Sequence, residues 1–597
     1  MHVVERLQQL RQLMKRDGVD AYYIPMQDPH NSEYLPLYWQ RLAWLSGFTG
    51  SAATVIVTQK TAILWTDCRY FLQAENELDL NCFELFRQGQ PEVPTIAAWL
   101  AEQAAGFCLG ADPQTVTIKQ TRHFEPILNK NCSTLKFTAE NYIDQIWLER
   151  PALLNSPVSL WSVEYAGKTV AEKLGQVREQ LIKNKVESHA LTTLDAVAWL
   201  FNIRGADMSF NPVVVSYALI EQEKACLYID QSKLTEEQAG HLAAAGVSTA
   251  DYDDFANDLQ KLTGTVWLDA DVDSYWVLSQ LNTAKAQVFE QPSPIHLLKA
   301  CKNSTEVKGM HQAHHYDGLA LVRFFHWLER HWQQGVSELA VVDKLLAFRK
   351  QAVSFQGNSF ATISGFAEHG AIMHYRVSKA SDKIIDDSNL FLLDSGGQYL
   401  EGTTDVTRTI HLGQPTAIQK KHYTLVLKGH LQLEYALFPQ GTTGTQLDTL
   451  ARYPLWQEKL NFGHGTGHGV GCYLNVHEGP QRISPKASDI ALELGMVVSN
   501  EPGLYLDYQY GIRIENLCVV TEKAQADESL TENIPFYGFD SLTLVPYARN
   551  LIDVNLLSDN ELNWLNNYHR KVYTCLAPEL TTELQAWLAE KTAQIIR

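Results

Sequence analysis

Four carboxylates in the C-terminal half of the 597-residue chain lie in or at the ends of apolar runs. These residues are Asp394 in LFLLDSGG, Asp405 in GTTDVTRT, Glu501 in MVVSNEPG and Glu515 in GIRIEN. A buried carboxylate is costly without a positive partner, and neighbouring carboxylates raise one another's pKa. Arg513 alone cannot balance four such charges, whereas a pair of divalent cations can. The residue types therefore predict a site for two metal ions.

Two histidines lie in a glycine-rich run, FGHGTGHGVG, that we interpret as a turn. They are His464 and His468, and His477 follows nine residues after the second. Glycines let a backbone bend and approach a ligand closely. A histidine nitrogen together with carboxylate oxygens suits Mn²⁺, Co²⁺ or Zn²⁺. Two such ions that share a water lower its pKa and polarise a carbonyl group, which is hydrolytic chemistry.

These side chains need strands to bring them together. We interpret TTDVTRT as a strand with Asp405 at its centre, next to the strand that ends at Asp394, so that both carboxylates share one face. Period-2 alternation in GIRIEN places Arg513 and Glu515 on one face and two isoleucines on the other. Any one of these residues is more often structural, and the prediction depends on all the segments together.

The N-terminal part of the chain alternates between helix and strand patterns. We predict a helix over residues 3–16, a strand at AYYIP, and two strands in VIVTQKTAILW joined by a turn at Gln59 and Lys60. The tripeptide AWL at residues 43–45 recurs at 198–200, each time inside an α/β pattern. This weak repeat predicts two related α/β domains.

The chain is long enough for three or four domains of about 150 residues. Proline and serine punctuate the sequence near residue 155, and a long amphipathic helix, capped by Ser304 or Thr305 with Glu306 in its first turn, starts near residue 304. We therefore predict domains over residues 1–155, 156–302 and 303–597, the last with a C-terminal extension from about residue 540 to 597.

Composition restricts the class of protein. The 49 basic and 68 acidic residues give a net charge of −19, which repels nucleic acid and anionic membrane surfaces. The nine cysteines show no metal-type spacing, which favours free thiols in a reducing compartment. The N-terminus lacks the apolar core of a signal peptide, and we found no apolar run of membrane length. We expect a cytoplasmic protein that binds neither nucleic acid nor membranes.

The order of these motifs resembles that of the pita-bread metallopeptidases, which include methionine aminopeptidase, prolidase, creatinase and aminopeptidase P. The flanking segments are most similar to the long, three-domain aminopeptidases P. They are SGFTGSAATVIVT and WTDCRYFLQAE near the start, LDAVAWLFNIRGADMSFNPVVVSYALI in the middle, and SLTLVPY and WLNNYH near the end. The resemblance implies an α/β chain with two creatinase-type N-terminal domains, followed by a pita-bread catalytic domain with a curved antiparallel sheet.

The resemblance also implies a role for each matching ligand. Asp394 resembles a ligand of one metal, and His468 and Glu501 resemble ligands of the other. Asp405 and Glu515 resemble the carboxylates that bridge both metals. The expected cofactors are two divalent ions, with Mn²⁺ as the first choice and Co²⁺ or Zn²⁺ as alternatives.

Further residues match positions beside the substrate. His374 in GAIMHY, His464 and His477 resemble the catalytic histidines that contact the scissile peptide and the intermediate. Glu501 resembles the group that carries a proton toward the leaving nitrogen. Arg513 is expected to orient a carboxylate.

One substrate contact is expected from the first domain. Arg69 in WTDCRY resembles an arginine that reaches the substrate, with a salt bridge at the surface or between domains as the alternative. Cys68 departs from the small residue expected at its position. Glu368 and His369, just before the GAIMHY segment, have no role that the sequence indicates.

The implied activity is hydrolysis of the N-terminal Xaa-Pro bond with release of the first residue. A hydroxide that bridges two divalent metals would attack the carbonyl, while a metal and a histidine stabilise the oxyanion. The expected partners are peptides with proline in the second position. The family also implies a homodimer formed through the catalytic domain, which this sequence supports only through Tyr453 and Trp456.

Two alternatives remain open. Prolidase cleaves only Xaa-Pro dipeptides but uses the same ligands, so metal chemistry cannot separate the two activities. Chain length favours aminopeptidase P because its middle domain is extra. Some pita-bread domains are metal-free binding or scaffold proteins, but those lack the ligands that are all present here.

Overall fold

The structure is a computed structural model that describes residues 1–525 and 534–597. Within these residues no helix is both long and apolar enough to cross a membrane. The nine cysteines are all free thiols.

The chain divides into two compact units. The first comprises Met1–Ser162 and Lys168–His296, and the second comprises Val163–Gly167 and Leu297–Arg597. The first unit contains two six-stranded sheets, and the second contains the candidate site.

The first sheet has the strand order β4-β3-β2-β1-β5-β6. Its strands are β1 (Ala21–Pro25), β2 (Ala53–Thr58), β3 (Ala62–Thr66), β4 (Glu84–Arg87), β5 (Cys108–Ala111) and β6 (Thr134–Phe137). The accompanying helices are α1 (Val3–Arg16), α2 (Arg41–Ser46), α3 (Phe71–Glu77), α4 (Ile96–Ala101), α5 (Ile118–Lys130) and α6 (Tyr142–Ile146). Helix α1 and strands β1 to β3 lie where the sequence predicts them. Leu7, Leu10 and Met14 form the buried face of α1.

The second sheet has the order β12-β11-β10-β8-β13-β14. The strands of this region are β7 (Ser159–Leu160), β8 (Ser188–Leu191), β9 (Ile203–Arg204), β10 (Ser216–Glu221), β11 (Ala225–Ile229), β12 (Val247–Ala250), β13 (Thr265–Leu268) and β14 (Gln287–Glu290). Its helices are α7 (Val163–Ala166), α8 (Val170–Asn184), α9 (Leu194–Leu200), α10 (Glu236–Ala244), α11 (Asp254–Leu259), α12 (Tyr275–Ala284) and α13 (Pro294–Ala300).

The two sheets have the same topology. In each, the first strand pairs antiparallel with the second and parallel with the fifth. The two AWL segments lie in helices α2 and α9, each of which precedes the second strand of its sheet. This confirms the prediction of two related α/β regions.

In the second unit, all the strand pairs that the structure describes are antiparallel. Its strands are β15 (Phe355–Asn358), β16 (Ile363–Phe366), β17 (Leu390–Ser395), β18 (Gly397–Tyr399), β19 (Gly402–Thr403), β20 (Val406–His411), β21 (Phe438–Pro439), β22 (Gly467–Gly469), β23 (Glu478–Ile483), β24 (Val497–Asn500), β25 (Gly503–Leu506), β26 (Tyr510–Arg513), β27 (Asn516–Gln525) and β28 (Pro535–Ser541). The largest sheet has the order β21-β28-β27-β24-β22-β23, and β16-β17-β20 form a smaller one.

Besides α7, which lies within Val163–Gly167, and the end of α13, the described part of this unit contains six helices. They are α14 (Ser304–His331), α15 (Glu338–Arg349), α16 (Ala417–Glu434), α17 (Gly444–Gln457), α18 (Asp559–Leu576) and α19 (Thr582–Lys591). The cap of α14 is Asn303, whose side chain accepts from the backbone N–H groups of Thr305 and Glu306, and not Ser304 or Thr305 as predicted. Glu306 completes the capping box from the first turn.

The apolar residues of this unit form several clusters, and the largest includes residues next to the candidate site. Tyr423 and Val426 of α16 pack in one cluster with Ile512 of β26 and with Leu565 and Val572 of α18. Burial of these side chains fixes the strand ends that carry the polar residues, because the hydrophobic effect favours this packing over exposure.

Candidate metal centre

Asp394 is the penultimate residue of β17. Its side chain is 11% exposed, and its Oδ2 accepts a hydrogen bond of 2.6 Å from Nη2 of Arg513. Its Oδ1 accepts no hydrogen bond from any residue that the structure describes. Burial raises the pKa of Asp394 to about 7, opposed by the charge of Arg513 and assisted by that of Asp405. An open acceptor on a buried carboxylate calls for a positive ligand.

Asp405 lies directly before β20 and not at the centre of a strand, which corrects the prediction. The preceding strand β19 pairs with β18 and not with β17, so the chain changes partner just before Asp405. The ladder between β17 and β20 places Asp394 opposite Thr407. The Oδ2 atom of Asp405 is 3.6 Å from Nε2 of His468, and within the described chain its Oδ1 has no hydrogen-bond partner.

Glu515 lies between β26 and β27 and is 1% exposed. Its Oε2 accepts a hydrogen bond of 2.7 Å from Oγ1 of Thr407, which itself accepts from Nε of Arg513 at 3.1 Å. Burial and the neighbouring carboxylates raise the pKa of Glu515 well above its usual range. Ile512 and Ile514 pack in the hydrophobic core, whereas Arg513 and Glu515 both bond to Thr407, in agreement with the predicted alternation.

His468 lies in β22, between β24 and β23, and not in a turn as we had interpreted the glycine-rich run. Its Nδ1 donates to the carbonyl of Gly469 at 2.8 Å, so Nε2 is the nitrogen available to a ligand. A Cβ at Gly467 would lie 1.9 Å from the carbonyl oxygen of Ser499. A Cβ at Gly469 would lie 2.3 Å from that of Glu478. Glycine is therefore required here for close strand packing.

Glu501 directly follows β24. Its Oε1 accepts from Oγ of Ser499 at 3.2 Å and lies 3.5 Å from Nε2 of His468. Burial raises the pKa of Glu501. Burial lowers the pKa of His468, but its contacts with Asp405 and Glu501 outweigh this and raise it to about 9. The side chains of Glu501 and His468 are 18% and 21% exposed, more than those of Asp394, Asp405 and Glu515.

Three groups of three side chains, among the described residues, bring ligand atoms within 4.8 Å of one another. The groups are Asp394, Asp405 and Glu515; His468, Glu501 and Glu515; and Asp405, His468 and His477. The structure thus brings together all five predicted ligands. It also places His477 within ligand distance, although the sequence indicated a substrate contact, and its ring lies 4.4 Å from that of His468.

His464 is connected to the cluster through Tyr505. Nη1 of Arg513 donates to the Tyr505 hydroxyl at 2.7 Å, so the hydroxyl proton is directed to Nε2 of His464 at 2.9 Å. Nδ1 of His464 then donates to the carbonyl of Gly465 at 2.7 Å. Burial raises the pKa of Tyr505 to about 12, so the phenol keeps this proton.

His374 lies in a turn that follows the 3-10 segment Ala367–Ala371, and it is partly buried. The two unexplained residues of this loop have structural partners. Glu368 pairs with Lys383 on the surface. His369 donates from Nδ1 to Oε1 of Glu338 at 2.9 Å.

Glu338 is a buried anchor for the loop that carries His374. Its side chain is fully buried, at the start of α15. It accepts hydrogen bonds from the backbone N–H of Phe366 at 2.7 Å, the Tyr375 hydroxyl at 3.2 Å and the backbone N–H of Lys383 at 3.2 Å. These bonds fix both ends of the loop.

Arg69 belongs to the first unit and lies three residues after the end of β3. Its Nε and Nη2 donate to the two carboxylate oxygens of Asp67 at 2.8 and 2.6 Å. The side chain is 32% exposed. A local ion pair therefore holds the guanidinium, and its contact with substrate stays a prediction.

Comparison with known families divides the chain into matching regions. Residues 308–522 match Metallopeptidase family M24, and residues 535–595 match the C-terminal region of that peptidase family. Residues 6–142 and 149–306 each match a Creatinase/Prolidase N-terminal domain.

Relatives resemble the chain along its whole length. A probable Xaa-Pro aminopeptidase P of Tuber melanosporum is 43% identical and covers 95% of both chains. One from Botryotinia fuckeliana is 42% identical over 96% of this chain and 90% of its own. The X-prolyl aminopeptidase of Caenorhabditis elegans, a cytosolic enzyme with a di-nuclear active site, superposes with a TM-score of 0.95 at 37% identity and full coverage of both chains.

The chain belongs to the Xaa-Pro aminopeptidase P family. The predicted fold is confirmed: two creatinase-type domains precede an M24 pita-bread domain whose antiparallel sheet is curved. The Xaa-Pro dipeptidase of Bacillus anthracis resembles part of this fold, at 24% identity and a TM-score of 0.50. It covers 64% of this chain and 99% of its own.

The sequence analysis did not identify several residues that shape the candidate site of this aminopeptidase P family member. Thr407 contacts the candidate ligand Glu515, and Tyr505 contacts Arg513. Glu338 anchors the loop of His374. Alternation was the available signal for Tyr505, because Leu504 beside it is buried in the core. Glu338 carries no such signal, since its partners are distant in sequence.

Proposed function

We propose that the protein hydrolyses the first peptide bond of peptides that begin Xaa-Pro and releases the first residue. The observation that carries this proposal is the cluster of overlapping ligand groups, in which Asp405, Glu515 and His468 each belong to two groups. Whole-length similarity to Xaa-Pro aminopeptidases P supports the same activity.

The side chains fit a pair of divalent cations. Asp394, Asp405 and Glu515 would face one ion, and His468 and Glu501 would complete the other. The open Oδ1 atoms of both aspartates, unpartnered in the described chain, support this assignment because a buried acceptor needs a partner. When bound, the ions supply an acidified water and a polarised carbonyl. We favour Mn²⁺, with Co²⁺ or Zn²⁺ as alternatives, on the oxygen-rich ligand set.

The chain's own groups would bind the peptide and move its protons. Glu501 is the most exposed of the candidate carboxylates and is the group to carry a proton toward the proline nitrogen. We assign His374 and His477 to the substrate and the developing oxyanion. His464 supports the substrate side through Tyr505. The carboxylates also provide a negatively charged binding site for the free N-terminal amine.

Recognition of proline must rely on shape. An Xaa-Pro bond is a tertiary amide without an N–H group, so the enzyme cannot read that position by accepting a hydrogen bond. The site should select the trans isomer, which predominates in peptides. We assign Arg69 to substrate binding on the basis of the sequence resemblance.

Prolidase and a metal-free scaffold are the alternatives. Similarity over the full chain favours the aminopeptidase, because the dipeptidase of Bacillus anthracis corresponds to 64% of it. The scaffold is disfavoured because all five ligand types are retained and converge.

We further propose a cytoplasmic homodimer that associates through the catalytic domain. The cytosolic relative and the nine free thiols support the location. Tyr453 and Trp456, which are 54% and 45% exposed on α17, support the interface. Light scattering at micromolar concentration should give twice the mass of 67.4 kDa, and a monomer alone would contradict this assembly.

A peptide assay tests the activity. Xaa-Pro-Yaa tripeptides and Xaa-Pro dipeptides are compared with the metal-free protein before and after addition of Mn²⁺. We expect Mn²⁺-dependent release of the first residue, faster from tripeptides. Turnover of dipeptides alone would support prolidase. No turnover of either peptide with Mn²⁺, Co²⁺ or Zn²⁺ would support the scaffold.

A further inference from the structure

A buried ion pair joins helix α14 to the end of α15. Asp317 and Arg349 have side chains that are 3% and 0% exposed. Nε of Arg349 donates to Oδ1 of Asp317 at 2.7 Å, and Nη2 donates to Oδ2 at 3.2 Å. Such a pair is costly to bury unless its remaining donors and acceptors are also satisfied. The groups that satisfy them lie next to two candidate metal ligands.

The arginine end holds the chain just after Asp394. Nη2 of Arg349 donates to Oγ of Ser395 at 3.0 Å, and Nη1 donates to the carbonyl of Gly396 at 3.2 Å. These two residues are the direct successors of Asp394. The guanidinium thus fixes the point at which β17 ends.

The aspartate end holds the chain just before Asp405. Oδ2 of Asp317 accepts from Oγ1 of Thr404 at 3.0 Å, and Oδ1 accepts from the Tyr399 hydroxyl at 2.9 Å. The backbone N–H of Gly397 donates to Oγ1 of Thr404 at 2.9 Å. Thr404 therefore connects the ion pair to both ends of the hairpin between the two ligands.

The two ends of this hairpin are too close together for a side chain at Gly396. A Cβ at Gly396 would lie 2.0 Å from the carbonyl oxygen of Thr404. Oγ of Ser359 donates to that same carbonyl at 2.8 Å, and its backbone N–H donates to the carbonyl of Gly396 at 3.1 Å. A shift of one end must therefore move the other.

We propose that Asp317 and Arg349 are positioning residues that set the separation of Asp394 and Asp405, and thereby the affinity for the metal pair. The inference rests on the metal site of the proposed function. The pair acts through backbone and hydroxyl groups adjacent to the ligands. Outer partners that orient metal ligands typically change metal affinity by about 10- to 100-fold when they are removed.

A purely structural role predicts a different result. Loss of core stability would lower the melting temperature equally with and without metal and leave the dissociation constant for metal unchanged. A positioning role predicts weaker binding, so that added metal raises the melting temperature less than in the wild type.

The test is calorimetric titration of the full-length, metal-free protein with Mn²⁺, with folding checked by circular dichroism. Thr404→Val removes the hydroxyl link at nearly constant volume, and we expect about 10-fold weaker binding. Arg349→Lys keeps the charge but loses the planar set of guanidinium N–H donors, and we expect about 100-fold weaker binding of Mn²⁺. Thr424→Val is the matched control, since this fully buried threonine also links two segments but contacts no candidate ligand: its hydroxyl donates to the carbonyl of Lys420 and accepts from the backbone N–H of Asp553.

The possible outcomes distinguish failure of the proposed metal site from failure of the positioning role. A wild type that binds fewer than two ions in parallel titrations with Mn²⁺, Co²⁺ and Zn²⁺ overturns the proposed metal site. A wild type that binds two, with Thr404→Val and Arg349→Lys unchanged in affinity, overturns the positioning role alone. If Arg349→Lys does not fold, Thr404→Val decides.

Discussion

The two sides of the candidate metal centre differ in exposure and support. On the carboxylate side, Asp394, Asp405 and Glu515 are between 1% and 11% exposed. Hydrogen bonds from Arg513 and Thr407 hold Asp394 and Glu515. On the histidine side, His468 and Glu501 are 21% and 18% exposed. We therefore propose that the buried side holds the ions most firmly, whereas the more exposed side, which would complete the second ion's ligands, also faces the substrate.

The largest expected effect is on the buried side. Asp405→Ala and Glu515→Ala should each abolish activity and metal retention while the fold survives, because each carboxylate belongs to two ligand groups. Elemental analysis and circular dichroism measure this. Glu458→Ala, at the surface ion pair with Lys421, is the control and should change neither property. Two retained metals with full activity in either ligand variant would refute the bridging assignment.

The open side should be sensitive to the substrate's N-terminus. N-acetylation of an Xaa-Pro peptide should nearly abolish cleavage, since it removes the positive amine that the carboxylates would bind. Replacement of the second-position proline by alanine should have a comparable effect. Chromatography of the products with free and acetylated peptides measures both. Equal cleavage of acetylated peptides would indicate an endopeptidase.

Much of this centre could be predicted because its signal is local. An apolar run that ends on a carboxylate predicts Asp394 and Glu501, and alternation orients Arg513 and Glu515. Helix α1 and strands β1 to β3 follow from short-range periodicity in the same way. These patterns need no knowledge of distant partners.

The remaining features depend on contacts between distant residues. The break before Asp405 arises because β19 pairs with β18, which the Thr-rich pattern does not reveal. Asp317 and Thr404 are 87 residues apart, so nothing in either segment indicates their hydrogen bond. The cap of α14 is Asn303, whose side chain accepts from two backbone N–H groups. The neighbouring Ser304 and Thr305 are also residue types that commonly cap helices, so the sequence alone did not distinguish them.

The histidines should have a smaller effect than the carboxylates. His374→Ala or His477→Ala should lower kcat by about 100-fold and leave metal content near that of the wild type, as expected for proton-transfer or oxyanion partners. Steady-state kinetics with elemental analysis measures both quantities. The ligand distance of His477 sharpens the comparison: loss of metal in His477→Ala would move this residue from the substrate to the ions.

Arg69 should have the smallest effect and tests whether the substrate needs a cation that neither side of the centre supplies. Arg69→Met should raise KM about fivefold, the equivalent of about 1 kcal/mol for a partly exposed charge, with kcat and metal content unchanged. Its existing ion pair with Asp67 gives a structural explanation for any loss of stability. Arg16→Met is therefore the control, because Arg16 makes a similar two-bond pair with Asp17 in the same unit. An equal change of KM in both variants, or none in Arg69→Met, would remove Arg69 from the substrate site.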